Sequence, residues 1–126
     1  MVLVDTSVWI RFYRDQHPYA AELERLLQLK EVAGHDLIYG ELLMGDPGGH
    51  GRRLVEYSSM RQTATIAHGE VVAFVRARRL HGRGVGWIDV NLVASAIAAR
   101  AKLWTADHNL HTMAGELGIA YTHTAR

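Results

Sequence analysis

Two apolar segments at opposite ends of the chain each run into an aspartate. Val2-Leu3-Val4 is closed by Asp5, and Leu103-Trp104-Thr105-Ala106 by Asp107. Two more acids sit in apolar surroundings. Glu41 lies within Leu37-Ile38-Tyr39-Gly40-Glu41-Leu42-Leu43-Met44, and Asp89 heads a long apolar stretch after Gly86-Trp87-Ile88. Carboxylates are almost never fully buried unless they are paired or bind a metal. Any fold for this chain must bury these segments and still give the acids polar company. One shared acidic pocket meets both demands. Such a pocket calls for a hard divalent cation, and the cation suggests phosphate chemistry.

The pattern around these segments predicts the architecture. Val2 to Asp5 reads as a buried parallel strand. Thr6-Ser7 is placed to cap a helix that packs through Val8, Trp9, Phe12 and Tyr13. Pro18 suits the first turn of a second helix, with Leu23, Leu26 and Leu27 on its apolar side. Residues 31–33 read as a short strand and 36–44 as a helix ended by Gly45. The run from Asp46 to Gly51, with its proline and glycines, is the clearest break. Residues 52–60, 70–80, 89–101 and 108–117 then read as helices, 103–105 and 119–122 as strands, and 63–67 as a strand or loop. Strands alternating with helices predict a three-layer α/β/α sandwich around a mostly parallel sheet. All 126 residues suit a single domain. Ligands of such sheets bind beyond the carboxyl ends of strands, where strand order reverses. Asp5 and Asp107 are therefore expected on one rim.

Each acid also has an ordinary explanation. Asp89 and Asp107 could be helix N-caps, and Asp5 a strand-end residue before a turn. Glu41 resists this, because a mid-helix glutamate flanked by leucines has no capping job. Taken together, the four favour a shared site. Two like charges about 4 Å apart repel by about 4 kcal/mol at an effective dielectric near 20. Magnesium or manganese, bound through oxygen, would relieve that repulsion. Ser7, Thr6, Asn91 and Asn109 are polar neighbours able to orient waters or carboxylates, although helix-end hydrogen bonding is the simpler role for the two asparagines.

Composition narrows the field. With 48% hydrophobic and 21% charged residues the chain is an ordinary soluble protein. It has no apolar run long enough to cross a bilayer, and its first residues do not resemble a secretory signal. Cysteine is absent, which excludes disulfides, thiolate zinc sites and cysteine nucleophiles and suits a reducing cytoplasm. A net charge of +1 argues against a strongly cationic nucleic-acid binder. The cations are nevertheless clustered: Arg52 with Arg53, and Arg76, Arg78, Arg79 with Arg83. Of 14 basic residues only Lys30 and Lys102 are lysines. Arginine suits phosphate through its planar fork of donors, so the second cluster is a candidate RNA-backbone patch.

The run VLVDTSVWI, the helix IYGELLMG and the stretch WIDVNLVASAIAARAKLWTADHNL, in this order, resemble the PIN domain, and within it the VapC-type toxins of bacterial type II toxin–antitoxin systems. The resemblance covers nearly the whole chain. It implies a parallel-sheet α/β/α domain with magnesium- or manganese-dependent endoribonuclease activity, often on tRNA or ribosomal RNA. The family's acids fall on Asp5, Glu41, Asp89 and Asp107, with Ser7 and Thr105 as the accompanying hydroxyl residues. Where some relatives carry an extra acid, this chain has Asn91 and Asn109. The resemblance also implies a VapB antitoxin, whose tail often places a basic side chain in the acidic pocket, and a homodimer. The Leu23, Leu26, Leu27 helix would serve an interface or simply the core.

Other readings fit less well. A haloacid-dehalogenase-type phosphatase needs a second acid two positions after the first, where Ser7 stands. A receiver domain needs adjacent early acids and a late lysine after its strand, whereas Lys102 precedes one. His108 and His111, three apart, could bind a transition metal but have no evident third ligand. A non-catalytic module whose acidic pocket receives a partner's arginines remains the alternative to catalysis.

Overall fold

The computed structural model describes residues 1–46 and 51–123. Most of the predicted break, residues 47–50, lies outside them. The elements are β1 (Val2–Val4), α1 (Thr6–Tyr13), α2 (Tyr19–Gln28), β2 (Val32–Ala33), α3 (Asp36–Met44), α4 (Arg52–Ser59), α5 (His68–Arg78), α6 (Trp87–Ala99), β3 (Lys102–Trp104) and α7 (His108–Glu116).

Every residue of β1 is buried, which its β-branched and leucine side chains favour and its central position demands. The sheet order is β2-β1-β3, all parallel. Leu3 pairs with Ala33 on one side and Leu103 on the other. Two single bridges extend the sheet outward, Gly34 to Gln62 and Leu103 to Ala120, again parallel. The expected strand at 119–122 is therefore a one-residue bridge: Leu103 N–H donates to the Ile119 carbonyl and Tyr121 N–H to the Leu103 carbonyl. Residues 63–67 are not a strand; the pairing falls one residue earlier, at Gln62.

Helices cover the sheet, and one core joins them. Leu3, Val8, Leu23, Ile38, Val71, Leu92, Val93, Leu103 and Leu110 are all fully buried within it. Leu23 and Leu26 belong to this core and Leu27 packs against it, so the apolar side of α2 is spent inside the molecule. Trp9 anchors an aromatic group, with Phe12, Tyr13 and Tyr57 rings 5.4 to 5.9 Å away.

Helix α5 starts at His68, two residues before expectation, and Pro18 stands at the N-cap position of α2 and not in its first turn; two further differences at helix starts serve the rim. Asp5, rather than Thr6 or Ser7, occupies the N-cap position of α1, and its side chain makes no capping bond. Thr6 and Ser7 thereby become the first helical residues, with hydroxyls free to bond elsewhere. Helix α6 starts at Trp87 with Gly86 at its N-cap position, so Asp89 is not the cap but lies in the first turn. Asp107 does cap α7, accepting from Leu110 N–H.

Candidate functional site

Strand order reverses at β1: the chain leaves it for β2 on one side and reaches β3 on the other. A crevice outside the carboxyl ends of β1 and β3 follows from this topology. Asp5 leaves the end of β1, and Thr105, Ala106 and Asp107 leave the end of β3.

A hydroxyl network stitches the two ends together. Asp5, only 5% exposed, accepts at Oδ2 from Ser7 Oγ at 2.8 Å and from Thr105 Oγ1 at 2.6 Å. Ser7 Oγ in turn accepts from Ala106 N–H at 3.0 Å, and Thr105 Oγ1 accepts from Asp107 N–H at 3.0 Å. These bonds orient a buried carboxylate without neutralising it. Helix α3 contributes Glu41, whose Oε1 accepts from Thr6 Oγ1 at 2.6 Å. Asp107 Oδ2 accepts from Leu110 N–H at 2.8 Å. It is thus a cap and a member of the rim at once.

The charges of the other three acids all act on Asp89. Burial, followed by the charges of Asp5, Glu41 and Asp107, pushes its carboxyl up to about 6. Acids scattered over opposite faces would not act on it in this way. Among the described residues no lysine, arginine or histidine forms an ion pair with any of the four. The cluster is a concentration of negative charge with no ion-paired cation among the described residues.

The donor set tests the fit to a metal. It is entirely oxygen, which suits a hard divalent cation and offers nothing to a soft one. Among the described residues no three acidic or histidine side chains gather closely enough to grip one ion directly. Magnesium usually keeps several waters and takes one or two carboxylates directly, so an oxygen-lined rim of this openness fits it through water. His108 and His111 are both exposed and form no such group.

The neighbouring polar residues divide. Ser7, Thr6 and Thr105 bond to the acids as described. Asn91 instead donates to the Trp87 carbonyl one turn back, at 2.9 Å. Asn109 lies against the turn at Gly84, where φ is +76° and a Cβ would come within 2.5 Å of its amide; only glycine suits that position. Arg83 makes a two-pronged bond with Glu116 at 2.8 and 2.7 Å. Arg76, Arg78 and Arg79 are exposed and take no ion pair among the described residues.

Two polar networks escaped sequence reasoning. His35, 1% exposed, is the N-cap of α3. Its Nδ1 accepts from Leu37 N–H at 3.0 Å, so the ring proton sits on Nε2, which donates to Ser95 Oγ of α6 at 2.9 Å. Burial holds this imidazole below its ordinary range. The bond ties the helix bearing Glu41 to the helix bearing Asp89. Glu22 of α2, 6% exposed, accepts from Arg25 at 2.8 and 3.0 Å and from the Tyr121 hydroxyl. The Arg25 guanidinium, with help from Tyr121, holds Glu22 down at about 2. Its spacing of four from buried Leu26 was the available signal, since that places it on the packed side.

Known proteins are similar to this chain in sequence and fold. The PIN domain family model matches residues 2–116. Ribonuclease VapC32 of two Mycobacterium tuberculosis strains is 39% identical over 121 residues, covering 95% of either chain. Among solved structures, FitAcB from Neisseria gonorrhoeae superposes with a TM-score of 0.65 at 19% identity, covering 91% of this chain and 94% of that one. VapBC2 from Rickettsia felis, bound to a DNA fragment from its promoter, gives 0.61 at 19% identity over 85% and 88%. PAE2754 from Pyrobaculum aerophilum gives 0.58 at 19% over 93% and 94%. These three speak to the fold alone. The family model and the mycobacterial relatives span nearly the whole chain, and the chain belongs to the PIN-domain family.

Proposed function

We propose that the protein is a divalent-metal-dependent endoribonuclease toxin, hydrolysing a phosphodiester of structured RNA such as tRNA or rRNA in the cytoplasm, and held in check by a VapB-type antitoxin. One observation carries this reading: Asp89 is raised to about 6 by burial and by three other carboxylates, none of which forms an ion pair among the described residues. The relatives named Ribonuclease VapC32 supply the reaction class.

In this reading Asp5, Glu41, Asp89 and Asp107 would hold magnesium or manganese, in part through bound water. Bound there, the ion supplies Lewis-acid charge at the scissile phosphate and lowers the pKa of water. The chain's own residues do the positioning. Ser7 and Thr105 orient the Asp5 carboxylate, Thr6 orients Glu41, and the Leu110 amide fixes Asp107. Exposed Arg76, Arg78 and Arg79 supply charge for the RNA backbone, with Arg83 joining once it leaves Glu116. A cleft of about 710 Å³ beside Glu41 and Thr6, with Ile10, Leu42 and Leu54 in its lining and Arg14, Arg52 and Arg53 around it, suits an antitoxin segment reaching toward the acids.

The test is cleavage. Wild-type protein with manganese should cut a structured RNA, lose that activity in a chelator, and lose it permanently as Asp5→Asn. RNA left intact by the wild type, with an arginine-bearing partner peptide still bound, would replace catalysis with the binding-module reading.

A further inference from the structure

A second cavity, of about 370 Å³, has a lining that shares no residue with that of the Glu41 cleft. Its lining includes Thr105 and Asp107, so it shares two residues with the rim, and Thr105 is one bond from Asp5. Most of the rest of its wall is aromatic or imidazole rings, with Pro18, Ala106 and Thr122 making up the remainder. Trp104, 3% exposed, forms a fixed back wall. Tyr19 stacks on it with ring centres 6.0 Å apart, and Tyr121 leans on it at 5.3 Å. His108, His111 and His123 complete the ring-bearing surface.

These rings are held in place from behind. Buried Glu22 accepts from the Tyr121 hydroxyl and lies 3.5 Å from His123 Nδ1. The Arg11 guanidinium sits 5.4 Å over the Tyr19 ring. A pre-ordered aromatic wall loses little freedom on binding a flat ligand. Among the described residues, Asp107 is the one carboxylate in its lining, and no lysine or arginine lines it. It therefore has no cationic clamp for phosphate, but it offers π faces and imidazole donors and acceptors, the groups that read unpaired bases. Its volume is at the small end of ligand pockets: one nucleotide fits, a duplex does not.

We propose that this cavity receives one unpaired nucleobase of the RNA, next to the phosphate that the acids address. This deepens the ribonuclease reading and rests on it. The base enters against Tyr19 and Tyr121, and the imidazoles of His108 and His111 meet its edge. The cavity thus selects single-stranded sites and sets a base preference at one position beside the cut.

Two measurements test this separately from catalysis. In the first, metal-free Asp5→Asn protein is titrated with CMP, UMP, AMP and GMP, with ribose 5-phosphate as the baseless control, while the histidine ring signals are followed by NMR. At least one nucleotide should shift His108, His111 and His123 together, and ribose 5-phosphate should not. Equal shifts from ribose 5-phosphate, or none from any nucleotide, would overturn the proposal. In the second, wild type, Tyr19→Ala and His111→Ala cut a loop-bearing RNA. His111 is exposed, so its variant tests the cavity without risking the fold. The variants should raise KM roughly tenfold or more, the scale of one lost stacking contact, and flatten the base preference at the cut. Unchanged KM and preference would refute the cavity's role while leaving the ribonuclease reading intact. A wild type that cuts nothing would sink the ribonuclease reading and, with it, this one. If an antitoxin peptide, but no nucleotide, shifts the three histidines, the cavity is a protein-docking site and the proposal fails.

Discussion

Replacing Asp89 with asparagine should stabilise the metal-free protein while destroying its activity. The carboxyl is raised from 3.8 to about 6 in the folded state. Its favourable contribution is complete below pH 3.8 and is lost as pH rises through about 6, because the unfolded chain gives up the proton first. At about 1.4 kcal/mol per tenfold change in proton affinity, the full difference is roughly 3 kcal/mol at pH 8. Asp89 is only partly buried, and solvent screening trims this to about 1–2 kcal/mol. Asparagine keeps the shape and removes the charge. For a chain of this size, Asp89→Asn should then melt about 3–8 °C higher than wild type at pH 8 in a chelator. The two should converge near pH 4, where wild-type Asp89 is already protonated. Adding manganese should reverse the order by raising the wild-type melting temperature more than the variant's. Thermal melts at both pH values, with and without manganese, measure all of this. A lower melting temperature for Asp89→Asn at pH 8 in chelator, or an equal gain at pH 4 and pH 8, would show that the four acids do not repel one another across one site.

Other residues carry their own tests. Thr105→Val removes a 2.6 Å hydrogen bond to Asp5 and the acceptor for Asp107 N–H; it should lower kcat at least tenfold with little change in far-ultraviolet circular dichroism. His35→Ala removes the α3 cap and the bond to Ser95 and should cost about 2–4 kcal/mol in urea unfolding. Glu22 is held at about 2 in the folded state against 4.5 ordinarily, so its contribution is present above pH 4.5 and disappears as pH falls toward 2. Glu22→Gln should therefore destabilise clearly at pH 7 and much less at pH 2.5. Replacing Arg76, Arg78 and Arg79 together by alanine should weaken binding of all RNAs alike and flatten its salt dependence; a selective loss for one sequence would argue against a backbone role.

Much of the fold is legible in the chain because its elements carry strong local signals. Val2-Leu3-Val4 reads as a buried strand, and the alanine-rich apolar stretch from Val90 to Ala99 as a packed helix, and both form. The misreadings fall where local preference is nearly balanced. Thr6 and Ser7 are good N-caps by residue type, yet Asp5 takes that position, since the tertiary network gives both hydroxyls carboxylate partners. Residues 119–122 look like a strand, but beside the three-residue β3 they keep only one bridge.

Residue types and their spacing alone determined that four acids would need a common explanation, that the sheet would be parallel, and that no thiol chemistry was possible. Only tertiary structure decided that strand order reverses at β1, that Thr105 reaches Asp5 across a hundred positions of sequence, and that buried Glu22 braces an aromatic wall beside the rim. The reason is range. Hydrophobic periodicity and capping act within a few residues, whereas a carboxylate's proton affinity depends on burial and on charges brought near it through space.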